Sequence, residues 1–306
     1  MTAHARWMTG LMVATAVLAI VYFAPERGPV RLIAPTPPVP ANPHRITVIY
    51  MDEEIWLERE KGGWWIVRPH RWRAAGERVE KLLDTLGRFS LWNKITDKTD
   101  TDSLYELSDR RVTVRVVGSN EQETLEWSFG KNTDVKNRLF ARCSARSGVY
   151  AVDGLSRASL GYTWGHWMDA RLFPFEADDP VIEAAGKGPR GAFHLRKDSV
   201  GWTLDGRRAD SAAVETWTRA LAEVRFLQWE SPTPPVSGHG PALHLRSARG
   251  RHWSVEMDTS PESNGNFTLR HSDLPGHLLL TGPNANVLFP TPAALQKHRG
   301  TLKPAD

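Results

Sequence analysis

Few strings in this chain have the letters of known chemistry, and spacing argues against each. Gly186-Lys-Gly188-Pro-Arg-Gly191 has the G-x-G-x-x-G form of a dinucleotide cradle. Such a cradle needs a strand before it and a helix start after it, so that amide groups face the pyrophosphate. Here Pro189 interrupts the string and the alternating run Phe193–Leu195 follows, so it reads as a connector. His271-Ser272-Asp273 holds the residue types of a nucleophilic relay, but consecutive residues in a hairpin cannot adopt its geometry. His239, His244 and His252 crowd one region without the H-E-x-x-H or paired C-x-x-C spacing of a zinc site. Asp52-Glu53-Glu54 offers three carboxylates to a cation, although adjacent acids at a hairpin tip more often face solvent. Asp178 and Asp179 read as solvated acids before Pro180. Cys143, the single cysteine, has no neighbouring base and reads as a buried inert thiol. No catalytic, cofactor-binding or metal site is expected, and the chain is expected not to be an enzyme.

What remains is aromatic: 13 tryptophans among 306 residues. The elements that hold them are duplicated. Gly63–Trp92 reads as a strand through Trp64–Val67, a polar turn and an amphipathic helix, and the same pattern returns at Gly201–Leu227. Val79, Leu82, Leu83, Leu86 and Phe89 follow the helical i, i+3, i+4, i+7 spacing, with Val214, Trp217, Leu221 and Val224 as the second stripe. Asp210 or Ser211 supplies an N-cap in the second copy. Ile46, Val48 and Tyr50, then Ile55 and Leu57, alternate as two opening strands. After the first helix come the strands Val112–Val116, Leu125–Phe129, Leu139–Arg142 and Val149–Val152. After the second come Leu243–Leu245, Trp253–Met257, Phe267–Leu269 and Leu278–Leu280, and Asn286–Phe289 offers one more.

The repeat sorts the tryptophans. Trp64 and Trp202 share one strand position, Trp217 stands for Leu82, Trp253 for Leu125, and Trp127 pairs with Val255, so these are core positions. Trp65, Trp72, Trp164 and Trp167 have no apolar counterpart. They are candidates for an interface between the copies or for a partner surface, including a sugar.

Trp7–Phe23 is a run of 17 residues without a charge, about 25 Å long as a helix, with Trp7 at one end and Tyr22 and Phe23 at the other as interfacial anchors. Tyr22 is misplaced for signal cleavage after Ala24, so an uncleaved span in the bilayer is expected. Residues 25–43 hold seven prolines and read as a stiff spacer. The expected fold is α+β: two tandem repeats, each an antiparallel sheet with one covering helix, behind a single N-terminal transmembrane helix. The expected divisions are 1–24 anchor, 25–44 linker, 45–175 first repeat, 176–191 connector, 192–296 second repeat and 297–306 polar tail. A net charge of +4, with no basic block interleaved with aromatics, gives no nucleic-acid groove.

Gly63-Trp64, Tyr105-Glu106-Leu107, the Leu139–Val152 strand pair and Trp167-Met168-Asp169-Ala170-Arg171-Leu172 together resemble the bacterial family catalogued as domain of unknown function 4340. The resemblance covers roughly residues 45–290 as two copies. One departure is Glu106, where the family usually carries glycine. The resemblance implies no established reaction. It implies an accessory role, since some relatives are membrane-anchored auxiliary components beside ABC-type transporters, including ones implicated in gliding motility. The expected function is a non-enzymatic scaffold subunit of an integral membrane protein complex, at the bacterial inner membrane with its body in the periplasm. The alternative is a periplasmic ligand-binding or hydrolytic domain acting on envelope glycans through a tryptophan-lined cleft, which requires a carboxylate pair at glycosidase spacing.

Overall fold

Alternation of apolar and polar residues builds most of this molecule. In the computed structural model, which describes residues 36–176, 178–230, 240–259, 261 and 264–296, strand after strand turns every second side chain inward. The first unit has strands β1 (Arg45–Tyr50), β2 (Glu53–Glu60), β3 (Gly63–Arg68) and β4 (Trp72–Arg73), then helix α1 (Gly76–Arg88). It continues with β5 (Ser90–Thr96), β6 (Val112–Val117), β7 (Thr124–Asn132), β8 (Arg138–Cys143) and β9 (Arg146–Asp153). A short helix α2 (Trp164–Trp167) closes it.

The second unit repeats the list. It has β10 (Val181–Gly188), β11 (Gly191–Asp198), β12 (Gly201–Leu204), β13 (Arg207–Arg208), α3 (Ser211–Ala222) and β14 (Gln228–Glu230). Then come β15 (Ala242–Ser247), β16 (His252–Met257), β17 (Asn266–His271), β18 (His277–Thr281) and α4 (Gly282–Leu288). The two nine-stranded sheets have the same order, β4-β3-β2-β1-β6-β7-β8-β9-β5 and β13-β12-β11-β10-β15-β16-β17-β18-β14. Every described pairing is antiparallel, as in Ile46↔Leu57 and Ile46↔Val116 about β1.

Each sheet packs on its helix. Val79, Leu82, Leu83 and Leu86 of α1 are buried, and Phe89 just beyond it meets Trp127 of β7 edge-on at 4.8 Å. Val214, Trp217 and Leu221 do the same on α3, which Asp210 caps by accepting from the amides of Ala212 (3.0 Å) and Ala213 (3.1 Å).

The expected α+β class with a transmembrane helix is corrected by this architecture. The body is predominantly antiparallel β, two sheets of nine strands with one main helix each. Pattern reading undercounted strands because β4, β13 and β14 hold only two or three residues, too few to show alternation. The expected membrane span, with Trp7, Tyr22 and Phe23, lies outside the described residues. Among those residues no helix is long and apolar enough to cross a membrane.

Further expectations differ from the structure: Asp179, read as solvated, is 1% exposed and accepts from the Arg249 amide at 2.8 Å. Residues 181–188, placed in a connector, form β10, the counterpart of β1. Residues 286–288, offered as a strand, belong to α4, because Pro283 suits a helix start and Thr281 accepts from the Asn284 amide at 3.4 Å. The end of the proline-rich stretch packs on the body: Pro37 is buried, Val39 lies against the core, and the Thr36 hydroxyl donates to the Phe89 carbonyl.

Candidate functional site: the junction between the two units

The segment after α2 stitches the units together by backbone. The Trp167 carbonyl accepts from Ala75 N (2.7 Å), Asp169 N donates to the Arg73 carbonyl (2.9 Å), and Met168 bridges Ala74. A few residues on, the same segment reaches the second unit. Leu172 N donates to the Val224 carbonyl (2.8 Å), Phe226 N donates to the Ala170 carbonyl (2.9 Å), and Arg171 bridges Arg225. The Trp-Met-Asp-Ala-Arg-Leu string is therefore a clasp. Its one buried acid, Asp169, accepts from Arg171 Nε at 2.9 Å and lies 3.9 Å from Arg73 Nε. The hydrogen bond it donates to Asp169 holds the Arg171 guanidinium above its ordinary pKa.

Side chains seal what the clasp joins. Trp72 of β4 donates its indole N–H to the Asp169 carbonyl (2.9 Å) and meets His271 of β17 at a right angle, 5.1 Å between rings. Trp164 of α2 packs edge-on against Trp229 of β14 at 4.6 Å. Phe175 bridges by stacking on Phe173 (5.6 Å) and meeting Trp253 (5.2 Å). Burial pushes the His271 imidazole down to about 4, partly offset by the Asp273 charge.

The four singled-out tryptophans therefore divide. Trp72 and Trp164, 2% and 4% exposed, contact the second unit. Trp167 is fully buried within the first unit, donating to the Gly161 carbonyl. Its apolar counterpart exists after all: the Asp210 amide donates to the Leu295 carbonyl as that of Ala75 does to Trp167. Trp65 is half-buried on the outer face with the Arg71 guanidinium 4.6 Å from its ring centre.

Beside the junction runs a groove of about 840 Å³ lined by Glu60, Trp65, Arg71, Glu176, Arg249 and Arg251 among others. Two of its acids, Glu60 and Glu176, are paired with arginines. Glu60 takes two 2.8 Å bonds from Arg71, which hold its carboxyl below the usual range. Glu176 faces Arg251 at 2.9 Å and Arg249 at 3.4 Å. A carboxyl held ionised by a guanidinium is poorly suited to act as a general acid.

The other strings resolve into packing. A Cβ on Gly186 would meet the Phe193 ring at 2.5 Å, and one on Gly188 would meet Phe289 at 2.7 Å. These glycines admit aromatic rings rather than a phosphate. Ser272 Oγ donates to Asp273 at 2.9 Å and Asp273 N to His271 Nδ1 at 3.1 Å, a turn and no relay. His239 lies outside the described residues, while His244 and His252 are exposed. Among the described residues no three His, Cys, Asp or Glu side chains group as metal ligands. The buried Cys143 thiol is pushed up by desolvation.

Sequence reasoning missed Trp229 and Phe173, and weighed His271 only as part of a relay rather than as packing. Strand register supplies the signal: His271 pairs with Val255 as Cys143 pairs with Trp127, so a polar ring replaces a small core residue. Likewise Trp72 opposes Ile66 as Arg207 opposes Leu204. Residues that differ most between the copies mark the surface only one copy buries.

A family model described as domain of unknown function (DUF4340) matches residues 64–240, more than half of the chain. The matched stretch runs from β3 across the clasp to the region after β14. No curated protein and no solved structure matches.

Proposed function

From the premise that this chain belongs to the DUF4340 family, we propose that it is a non-enzymatic accessory subunit acting through protein–protein contacts. Its partner is an integral membrane complex, of the ABC-transporter type beside which some family relatives stand, and its body lies on the periplasmic side of the bacterial inner membrane. One observation carries this reading over a sugar cleft. Trp72, Trp164 and Trp167, which a glycan would need for stacking, are 2%, 4% and 0% exposed. Outward-facing features instead suit a partner: the edge strand β5, unpaired on its outer side among the described residues and with Ile95 41% exposed, and the exposed Leu104 and Met51.

The second reading, glycan binding, keeps one favourable observation, the groove beside Trp65. Cross-linking of the full chain at native expression, followed by purification from membrane and soluble fractions, separates the two. The accessory reading expects one stoichiometric partner recovered with the chain. A chain recovered alone, whose fluorescence shifts and saturates with glycan fragments, would replace it with the second.

A further inference from the structure

The joint between the two units closes on an imidazole. His271 ends β17 of the second unit at 4% exposure, with Trp72 of the first unit at a right angle 5.1 Å away and Phe173 of the clasp at 6.0 Å. Its Nδ1 accepts from the Asp273 amide at 3.1 Å, so the ring hydrogen sits on Nε2, which has no hydrogen-bond partner. The ring is therefore neutral, and Nδ1 alone has a lone pair for a second proton. Protonation there would set two N–H donors face to face and leave an imidazolium out of water.

Among the described residues, the elements packed about His271 offer that cation little relief. On the approach to β4 and in it, Arg71 and Arg73 are themselves cationic; the first is bound by Glu60, and the second lies 3.9 Å from Asp169. In the clasp, Asp169 accepts from Arg171, and Glu176 faces Arg249 and Arg251. On β16, Glu256 lies opposite Arg270 in the strand register. Asp273 in the following turn is the acid beside the ring, and it already accepts from the Ser272 hydroxyl at 2.9 Å.

The first unit supplies the cover that can move. Trp72 lies against the imidazole and also lines the groove of about 840 Å³, as does Asp273, so displacing the indole opens the ring toward that groove. Trp72 is not free to move alone. Its indole N–H holds the Asp169 carbonyl at 2.9 Å, and Asp169 N holds the Arg73 carbonyl at 2.9 Å. Shifting it loosens β4 from the clasp, and with it the bonds from Leu172 N to Val224 and from Phe226 N to Ala170 that span the units.

We propose that the junction is an acid-released joint, in which a proton taken up by His271 displaces Trp72 and parts the two units without unfolding either. The sign follows from the buried ring's low affinity for a proton, about 4 in the closed joint against about 6.5 once hydrated. The closed form is favoured in full above pH 6.5 and loses ground as pH falls toward 4.

Hydrogen exchange of the full chain at pH 7.5 and 4.5, corrected for the intrinsic rate at each pH, tests it. Segments carrying the Leu172 and Phe226 amides should lose protection at least tenfold at pH 4.5 relative to those of β1 and β10. His271→Phe keeps a ring against Trp72, and His271→Asn keeps an acceptor for the Asp273 amide; each should abolish that loss. Asp273→Asn should retain it, because the carboxylate opposes release rather than driving it. Equal clasp protection at the two pH values in wild type would overturn the proposal, as would a loss that persists in either His271 variant or disappears in Asp273→Asn. A loss shared equally by the clasp, β1 and β10 would overturn it too, since that reports unfolding of the units rather than their parting.

Discussion

Glu106 shows how one residue can depart from a family pattern and stay folded. It ends a 3-10 turn (Asp102–Tyr105) with φ of +54°, the left-handed region where glycine is at ease and other residues pay about 1 kcal/mol. Its carboxylate partly offsets this by meeting Arg157 at 2.6 Å, a half-exposed pair of about 0–1 kcal/mol. Glu106→Gly should therefore be nearly neutral in urea unfolding, while Glu106→Ala, which loses the pair and keeps the strain, should be less stable than the glycine variant by about 1 kcal/mol. Equal stabilities for the two variants would contradict the backbone assignment. His271 makes a prediction in pH. With its pKa near 4 in the fold and about 6.5 in the unfolded chain, the unfolded state binds the extra proton between those values. Stability is full above pH 6.5 and falls as pH drops toward 4, by up to about 3 kcal/mol, then levels. His271→Leu should flatten that slope; a slope unchanged in the variant would place the titration elsewhere. Neither residue was legible alone. Glu106 became so by contrast with a family, and His271 only by register against Cys143.

At the scale of elements the helices were plain and the sheet edges were not. The α1 and α3 stripes follow from residue spacing, and the cap was narrowed by residue type to Asp210 or Ser211, of which the structure uses Asp210. Replacing it, as in Asp210→Ala, leaves the Ala212 and Ala213 amides unmade and should lower thermal stability by about 1 kcal/mol. An unchanged melting temperature would mean the cap is not formed. The interior strands were legible for the same reason, since Val112, Val114 and Val116 alternate with polar neighbours. Strands β4, β13 and β14 were not, because a strand of two or three residues has no period to display. Strand β10 was hidden differently. Its glycines imitate a phosphate loop, while their actual task is to let Phe193 and Phe289 lie flat on the sheet.

For the whole molecule, duplication made a two-part body and divergence made it one piece. The copies meet head to tail, with β4 and α2 of the first against β14 and β17 of the second, so each copy uses a different surface. That asymmetry explains why a repeat comparison identified the core tryptophans and left Trp72 and Trp164 over. The central claim is that these rings pack one unit against the other, and the Trp164–Trp229 contact tests it most directly. A double-mutant cycle with Trp164→Ala, Trp229→Ala and the pair, read by chemical unfolding, should give a coupling of about 0.5–1.5 kcal/mol. Additive effects, with the pair costing the sum of the singles, would show that the two units do not meet there.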